Sequence, residues 1–589
     1  MTSRMFVVAA SAVALVLLLL STLVFGRLAG RPAAPPPSAF AAEVNLAPLG
    51  RIAVHEEGRL KSFDSFASSM MHYVAGPHPI SGNSDSFSYL DLMLRPADYV
   101  HVNAIYVKNK AVRGEIAAAL RRSFDQNPPA AAPDLGEVRT QLEQRMERFA
   151  RTGMLSEVVL LDPEVQDLLE VKERDLIRTA GVVQQIRTAM AVKDPQVLRQ
   201  NLRIVPPPGG GFGDRWMTVE TFASLGPDGV GAAIGAGLRD EIPAVWSDFT
   251  RAWVSRDAQS VNTAAARLAH LLPAVNPELY PDQGRLSWES WYFKAKNMTW
   301  VWMVYLLSVV FLVMSVAYHW RPARVLGLSI FTLAFALHTF ALLLRWYVSG
   351  RWPNSNMFEA VTTSVWFGGV LALLLEFLVR RSPMRNHFAL GSAVASMVAL
   401  MCVSFLPVSL NPNISNRMPV LHDVWLYIHT NVIIFSYCLI AMAAVSAAVY
   451  LVYRLGGGKA DYVRVGGAGA LMLRTPDGES YLTDAASSVG QVFDGATMVL
   501  MELAFIMLWT GLVMGAIWAD HSWGRPWGWD PKEVFALNTF IILALLVHTR
   551  IKVKDKGLWT AILAIVGFGV MLFNWIVINF QIVGLHSYA

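Results

Sequence analysis

Residues 426–453 read LYIHTNVIIFSYCLIAMAAVSAAVYLVY, an apolar run that contains no charged side chain. A helix of this length, rising about 1.5 Å per residue, is long enough to cross a bilayer core of roughly 30 Å. A spanning segment must satisfy its backbone hydrogen bonds internally, which favours a helix over irregular chain. The run therefore predicts a membrane-spanning helix, and His429 lies close to its beginning.

Seven other runs of spanning length lie between residue 298 and the carboxyl terminus. They cover about residues 298–318, 325–344, 360–379, 388–406, 496–517, 534–549 and 558–578. The composition agrees, because 54% of the 589 residues are hydrophobic, only 16% are charged and the mean hydropathy is +0.40. We expect an all-α integral membrane bundle of eight helices.

The amino-terminal half has a different character. Apolar residues 5–25 are long enough for a membrane anchor, and the Ala-x-Ala triplet at 39–41 lies far downstream, which favours a retained anchor over a cleaved signal peptide. The chain then has soluble composition, with helical periodicity near residues 62–74, 115–124, 137–149, 164–191 and 241–272. We predict an anchor at 1–27, a mostly α-helical extracytoplasmic domain at 28–297 and a membrane domain at 298–589.

Positive charge is distributed unequally between the loops of the membrane domain. If the amino-terminal domain is external, the loops assigned to the cytoplasm contain thirteen Lys and Arg residues, against five in the external loops. This is the pattern of the positive-inside rule. We therefore expect the loop at 518–533 to face outwards.

Composition disfavours two classes of function. The net charge of +5 is spread among the loops and forms no basic stripe, so no nucleic-acid-binding surface is indicated. Cys402 and Cys438 each lie in an apolar run and form no Cys-x-x-Cys pair. A disulfide framework, a zinc ribbon and a thioredoxin-type centre are therefore not expected.

The loop between the sixth and seventh runs is rich in tryptophan. Residues 518–533 read WADHSWGRPWGWDPKE, which places Trp518, Trp523, Trp527 and Trp529 within twelve residues. A single interfacial tryptophan is ordinarily a membrane-belt residue. Four this close together, spaced by glycine and proline, can form a rigid apolar platform for a large flat ligand such as a porphyrin.

Two histidines are expected at the same membrane level as this loop. His429 lies at the outer end of the fifth run, and His586 lies just beyond the outer end of the eighth. Imidazole is a common axial ligand of haem iron. A lone interfacial histidine is more often structural, but two at one level, bracketing the tryptophan loop in sequence, favour a haem site.

These motifs together resemble one family. Residues 523–533 look like the WWD signature of haem-handling proteins, and residues 298–589 resemble the CcsA/ResC family of system II cytochrome c biogenesis. Supporting segments are RWYVSGRWPNSNMFE at 345–359, LHDVWLYIH at 421–429, LVHTR at 546–550 and GLHSY at 584–588. A weaker likeness to longer CcsA-like proteins lies in GRLKSFDSFA at 58–67.

The resemblance implies a subunit of the bacterial inner membrane, embedded in lipid, that presents haem b to apocytochrome c on the outer face. It implies that His429 and His586 are the external haem ligands, and that the platform consists of Trp518, Trp523, Trp527, Trp529 and Asp530. His548 corresponds to an intramembrane ligand that receives haem from the cytoplasmic side. The second intramembrane ligand would come from a CcsB/ResB-like partner subunit, or else from His338 or His319 of this chain.

The implied reaction joins the haem vinyl groups to the two thiols of a Cys-x-x-Cys-His segment, and thiol-reducing proteins would be further partners. The external cations expected to receive the haem propionates are Arg345, Arg351, Arg525 and Lys532. No residue resembles a nucleophile, so it stays open whether this subunit of a haem-lyase-type synthetase is itself an enzyme. Three alternatives also remain open: a haem exporter that serves a separate lyase, a b-type electron-transfer subunit, and a structural scaffold for apocytochromes.

Overall fold

The computed structural model describes residues 36–56, 58–127, 135–175, 179–211, 213–225, 236–318, 320–380, 382, 384–406, 410–414, 423–463, 489–579 and 582. The predicted anchor at 5–25 lies outside these residues, as do His319 and His586. The contacts within the chain define two compact units, of which one is Pro32–Lys294 and the other contains Ala295–Ala589.

The amino-terminal unit is mostly helical. Its helices are α1 (Ala39–Glu43), α2 (Ala47–Gly50), α3 (Phe63–Ala75), α4 (Asp85–Leu94), α5 (Lys110–Gln126), α6 (Leu135–Thr152), α7 (Glu157–Leu160), α8 (Pro163–Glu173), α9 (Ala180–Lys193), α10 (Pro195–Asn201), α11 (Val219–Ser224), α12 (Ala236–Val254), α13 (Ala258–Val275) and α14 (Gln283–Lys294). Two antiparallel strand pairs complete it, β1 (Ala53–Glu56) with β2 (Arg59–Ser62), and β3 (Ile105–Tyr106) with β4 (Met154–Leu155). The expected helical character of this part is therefore observed.

Two predicted helical runs of this unit are each two helices in the structure: 164–191 is divided between α8 and α9, and 241–272 between α12 and α13. The run at 241–272 is divided because the chain turns at Arg256, whose φ is +60°. Asp257 then caps the second helix by accepting a hydrogen bond from the backbone N–H of Ser260 at 3.1 Å. The apolar periodicity continues through this turn, so periodicity alone does not reveal it.

The segment at 58–67 has structural contacts within this unit. Arg59, on β2, forms an ion pair with the buried Glu289 of α14 at 2.6 Å. Asp64, in the first turn of α3, accepts a hydrogen bond from Ser86 at 2.6 Å. These polar side chains connect the hairpin and α3 to elements that are distant in sequence.

The second unit contains, among the described residues, eight helices that are long and apolar enough to cross a membrane. They are α15 (Trp302–Tyr318), α16 (Arg321–Ser349), α17 (Met357–Leu378), α18 (His387–Phe405), α19 (Val424–Leu455), α20 (Val489–Trp523), α21 (Pro531–Lys552) and α22 (Lys556–Leu572), the last continued by a π-helical stretch, Phe573–Ile578. This confirms the predicted all-α membrane bundle. We call the end of the bundle where residues 524–530 connect α20 to α21 the loop end.

Helices α19 and α20 form the most extensive helix–helix contact among the described residues. They run antiparallel, because His429 near the start of α19 lies beside Gly515 near the end of α20. A Cβ added at Gly511 would lie 2.6 Å from the Ile433 side chain, and one added at Gly515 would lie 2.6 Å from the His429 ring. The two glycines, one helical turn apart, therefore permit this approach, as small residues do between membrane helices.

A buried ion pair connects helices at the loop end. The side chain of Arg345, near the end of α16, is 1% exposed and lies 2.9 Å from the carboxylate of Glu359, which is 0% exposed. Arg351 binds the other oxygen of that carboxylate at 2.8 Å, and Arg345 also donates to the carbonyl of Pro412 at 2.8 Å. This network fixes the connection between α16 and α17, whose residues 354–357 line the cavity described below.

A second ion pair connects helices at the opposite end. Arg550 of α21 donates to both carboxylate oxygens of Asp494 of α20, at 2.7 and 2.6 Å, and to the Thr560 hydroxyl of α22 at 2.8 Å. Such a two-point contact between guanidinium and carboxylate fixes orientation as well as distance. Arg550 therefore connects α20, α21 and α22 at the end opposite the loop end.

We predict that Glu359→Gln lowers the free energy of unfolding by about 3–5 kcal/mol, because it leaves the buried Arg345 charge without its counter-ion. Thermal unfolding of the detergent-solubilised protein measures the change. The matched control is Asp125→Asn, which removes the partner of Arg139 in a pair whose side chains are 62% and 55% exposed, and which we expect to change stability by less than about 0.5 kcal/mol. Equal effects of the two substitutions would contradict the prediction.

Candidate ligand-binding site at the loop end

A cavity of about 270 Å³ opens at the loop end of the bundle. Its walls come from α19, α20, α21, the loop before α17 and the π-helical end of the last helix. Apolar and aromatic side chains dominate the wall and include Met357, Ile433, Leu512, Trp518 and Trp575. The polar residues that line it are Asn354, Ser355, Asn356, Tyr427, His429, Thr430, Tyr437, Lys532, Glu533, Asn574 and Asn579.

His429 is held in one orientation within this cavity. Its Nδ1 lies 2.7 Å from the backbone carbonyl oxygen of Gly511. A carbonyl only accepts hydrogen bonds, so Nδ1 carries the proton and Nε2 carries the lone pair. This is the arrangement found in metal-ligating histidines, whose other ring nitrogen donates to a carbonyl or carboxylate.

The tryptophans of the 518–533 segment occupy different positions. Trp518 is 1% exposed, and its ring stacks parallel to that of His429, with centroids 6.5 Å apart and planes at 10°. Trp523 packs edge-on against Trp518 at 4.8 Å. Trp527 lines the cavity, whereas Trp529 is 73% exposed and does not line it. The structure thus brings Trp518 and Trp527 to the cavity with His429 and leaves Trp529 at the surface.

The tryptophan-rich segment is only partly a loop. Helix α20 continues to Trp523, so Trp518 and Trp523 are helical residues, and the loop itself is 524–530. Gly524, with a φ of +68°, ends the helix, and its N–H donates to the carbonyl of Asp520 at 2.8 Å. Glycine here ends the helix at low cost in strain, so Trp518 and Trp523 lie on α20 and Trp527 and Trp529 lie in the loop.

Asp530 and Glu533 shape the remaining loop. Asp530 is 4% exposed and is the N-cap of α21, in a capping box with Glu533. The Glu533 carboxylate also accepts the N–H groups of Gly528 at 2.9 Å and of Asp530 at 3.1 Å. Trp529, between these two donors, has a φ of +56°, which is unusual for a bulky residue. Asp530 therefore holds the loop rather than lining the cavity, and Glu533, which the sequence analysis did not single out, acts with it.

Of the four cations expected to receive propionates, one reaches the cavity. Arg345 and Arg351 are bound to Glu359, and Arg525 is exposed in the loop. Lys532, in the first turn of α21, lines the cavity.

The two intramembrane histidines have different surroundings. His548 of α21 is exposed on the bundle surface, and its Nδ1 lies 2.8 Å from the carbonyl oxygen of Ala544. His338 of α16 is 3% exposed, with Nδ1 3.4 Å from the Tyr305 hydroxyl. Helix α16 packs against α15, α17 and α18, while α21 packs against α20 and α22. The structure therefore does not bring His338 and His548 to one site. It gives no support to the alternative of a b-type electron-transfer subunit in which these two histidines bind one haem.

The last helix contributes residues that the sequence analysis missed. Its π-helical stretch carries Asn574 and Trp575 to the cavity, and Asn574 donates to the Tyr437 hydroxyl at 2.9 Å. Single π-helical turns are frequent at functional sites, but no local sequence pattern predicts them. By contrast, the Gly511-x-x-x-Gly515 spacing that positions His429 is visible in the sequence as a helix-packing motif.

The described side chains suit a flat ligand better than a bare metal ion. Within the described ranges, no group of three His, Cys, Asp or Glu residues could hold a metal ion. A single oriented imidazole beside parallel and edge-on indoles is instead complementary to a planar macrocycle that supplies most of the metal's ligands itself.

Comparison with known proteins identifies the membrane unit. Residues 354–586 match the family model described as Cytochrome C assembly protein. The chain is 34% identical over 265 residues to the cytochrome c biogenesis protein CcsA of Prochlorococcus marinus (strain NATL2A), covering 43% of this chain and 81% of that relative. It is 32% identical over 263 residues to the CcsA protein of Parasynechococcus marenigrum (strain WH8102), covering 44% and 84%. This multi-pass membrane protein, with a role in cytochrome c biogenesis, therefore belongs to the CcsA family.

Proposed function

We propose that this protein binds haem b at the loop end of its membrane bundle and presents it to apocytochrome c for covalent attachment. The observation that carries the proposal is the His429 imidazole, oriented by the Gly511 carbonyl and stacked on Trp518 inside a largely apolar cavity. Haem is the substrate of this site, and His429 is one axial ligand of its iron. Trp518 and Trp527 contact the macrocycle.

The second external ligand in this proposal is His586. It lies outside the described residues, but Asn579, seven residues earlier, lines the cavity. An extended chain of seven residues reaches about 24 Å, so the link is long enough for His586 to approach the same iron. Two imidazoles, one on each face, hold a haem in a defined orientation with one edge available to a partner.

The orientation and partners follow from the same proposal. The loop end faces the outside of a bacterial inner membrane, in agreement with the thirteen cations on the opposite loops. The external site receives haem by way of His548, which is exposed on α21 and therefore accessible to a CcsB/ResB-like partner subunit that supplies the opposing ligand. Apocytochrome c and thiol-reducing proteins act at the loop end.

Catalysis in this scheme consists of positioning. Each thiol of the Cys-x-x-Cys-His segment adds across a haem vinyl group, its sulfur bonding to one carbon and its proton moving to the other, with no net oxidation. The rigid contacts of His429 and Trp518 hold the macrocycle while the peptide approaches. One imidazole is then replaced by the histidine of the apocytochrome. If the purified chain and its partner load haem but form no thioether bond, the protein is an exporter that serves a separate lyase.

We predict that the purified, reduced protein has the absorption spectrum of a low-spin bis-histidine haem. His429→Ala and His586→Ala should each weaken it, because each removes one axial ligand, and added imidazole should restore it by entering the vacated position. His521→Ala, which removes an exposed histidine of the same end, is the control and should leave the spectrum unchanged. An unchanged spectrum in both ligand variants would refute the assignment.

A smaller substitution tests the orientation of His429. We predict that Gly515→Ala lowers haem affinity about tenfold to hundredfold, as the loss of a contact that orients a metal ligand does. The added methyl would lie 2.6 Å from the imidazole and would have to displace it. The control is Gly569→Ala in α22, where an added Cβ meets nothing within 4 Å. Equal haem affinities of the two variants would show that the position of the His429 ring does not affect haem binding.

A third prediction concerns the supply of haem. His548→Ala should reduce the haem recovered with protein isolated from cells by about tenfold or more, while haem added in detergent should still give the bis-histidine spectrum. His338→Gln should leave the haem content unchanged if a partner subunit provides the second intramembrane ligand. A loss of haem with His338→Gln as large as with His548→Ala would contradict the assignment of that ligand to a partner subunit.

A further inference from the structure

Charged side chains at the cavity differ in how they are used. Among the described residues that line the cavity, Glu533 is the one acidic residue, and Lys532 is the one residue that is a lysine or an arginine. The Glu533 carboxylate accepts two backbone N–H groups, of Gly528 and Asp530, and is thereby fixed in the loop structure. Lys532 is therefore the cation that a ligand in this cavity meets.

Position on the helix defines where that cation lies. Lys532 is in the first turn of α21, and its backbone N–H donates to the Asp530 carboxylate at 3.2 Å. Asp530 and the partial positive charge of the helix start are therefore both close to this residue, and Lys532 lines the cavity together with Trp527 and Ala536. An ammonium has three donors, so it can bind an anionic ligand while the neighbouring carboxylate caps the helix.

The other cations that the sequence analysis assigned to this end, where the structure describes them, do not reach the cavity. Arg345 and Arg351 share the carboxylate of Glu359, and exchanging that buried pair for a ligand contact would leave Glu359 uncompensated. Arg525 is exposed in the loop and does not line the cavity.

We infer that Lys532 is a carboxylate-binding subsite of this cavity and receives one propionate of the bound porphyrin, which sets the rotation of the macrocycle about the iron axis. This inference rests on the proposed function, because it names the group that binds a specific part of the proposed substrate. When Lys532 binds a propionate, the opposite edge of the macrocycle, which carries the vinyl groups, points away from Lys532. Lys532 is thus a positioning residue for the vinyl groups.

The test compares two porphyrins, haem and its dimethyl ester, which differ only in the charge of the propionates. Full-length protein prepared without haem is titrated with each, and binding is followed by the bis-histidine absorption bands. We expect the native protein to prefer haem by about tenfold to hundredfold, the effect of one hydrogen bond between charged groups. Lys532→Met, which keeps the length of the side chain, should abolish the preference, and Lys532→Arg should retain it.

Arg525→Gln is the matched control, because it removes a cation seven residues away in the same segment, and it should leave the preference unchanged. A full preference for haem in Lys532→Met would overturn the subsite. Equal affinity of the native protein for haem and its ester would also overturn it while leaving the proposed function intact. Failure of the native protein to bind either porphyrin would instead refute the proposed function, and the subsite with it.

Discussion

The close approach of α19 and α20 is the constraint on which the site depends. Gly511 and Gly515 remove the side chains that would separate the two helices, and His429 occupies the space this creates. The same contact gives the imidazole its hydrogen-bond acceptor and its parallel neighbour, Trp518. Helix packing in the membrane and the chemistry of the cavity are therefore set by one short interface.

Buried charges keep the rest of the cavity wall in place. Arg345 and Glu359 fix the loop before α17, and the Asp530–Glu533 capping box fixes the start of α21 and the loop that carries Trp527. Buried ion pairs contribute little net stability compared with apolar packing, but they specify one arrangement because their loss leaves an unpaired charge. These buried charges thus fix the geometry of the loop end, while His429, Lys532 and the apolar wall line the cavity.

The sequence revealed the bundle and much of the site because lipid imposes simple rules. Eight apolar runs predict eight helices, and the position of His429 at the start of one run predicts its level in the membrane. It could not reveal that α20 extends to Trp523, because the apolar run ends at Ile517 and polar residues follow within the helix. The sequence also could not show that Trp527 lines the cavity while Trp529 is exposed. This difference depends on the backbone angle φ at Trp529 and on the hydrogen bonds of Glu533. The π-helical turn at Asn574 likewise depends on tertiary packing rather than on local preference.

The chemical identity of the iron ligand is the central claim, and replacing one ligand by another tests it most directly. Near-infrared magnetic circular dichroism distinguishes two imidazoles from an imidazole paired with a thioether. In oxidised His429→Met protein, we expect the signature of a histidine–methionine pair, because the thioether takes the position of the imidazole. A spectrum that still reports two histidines would contradict it.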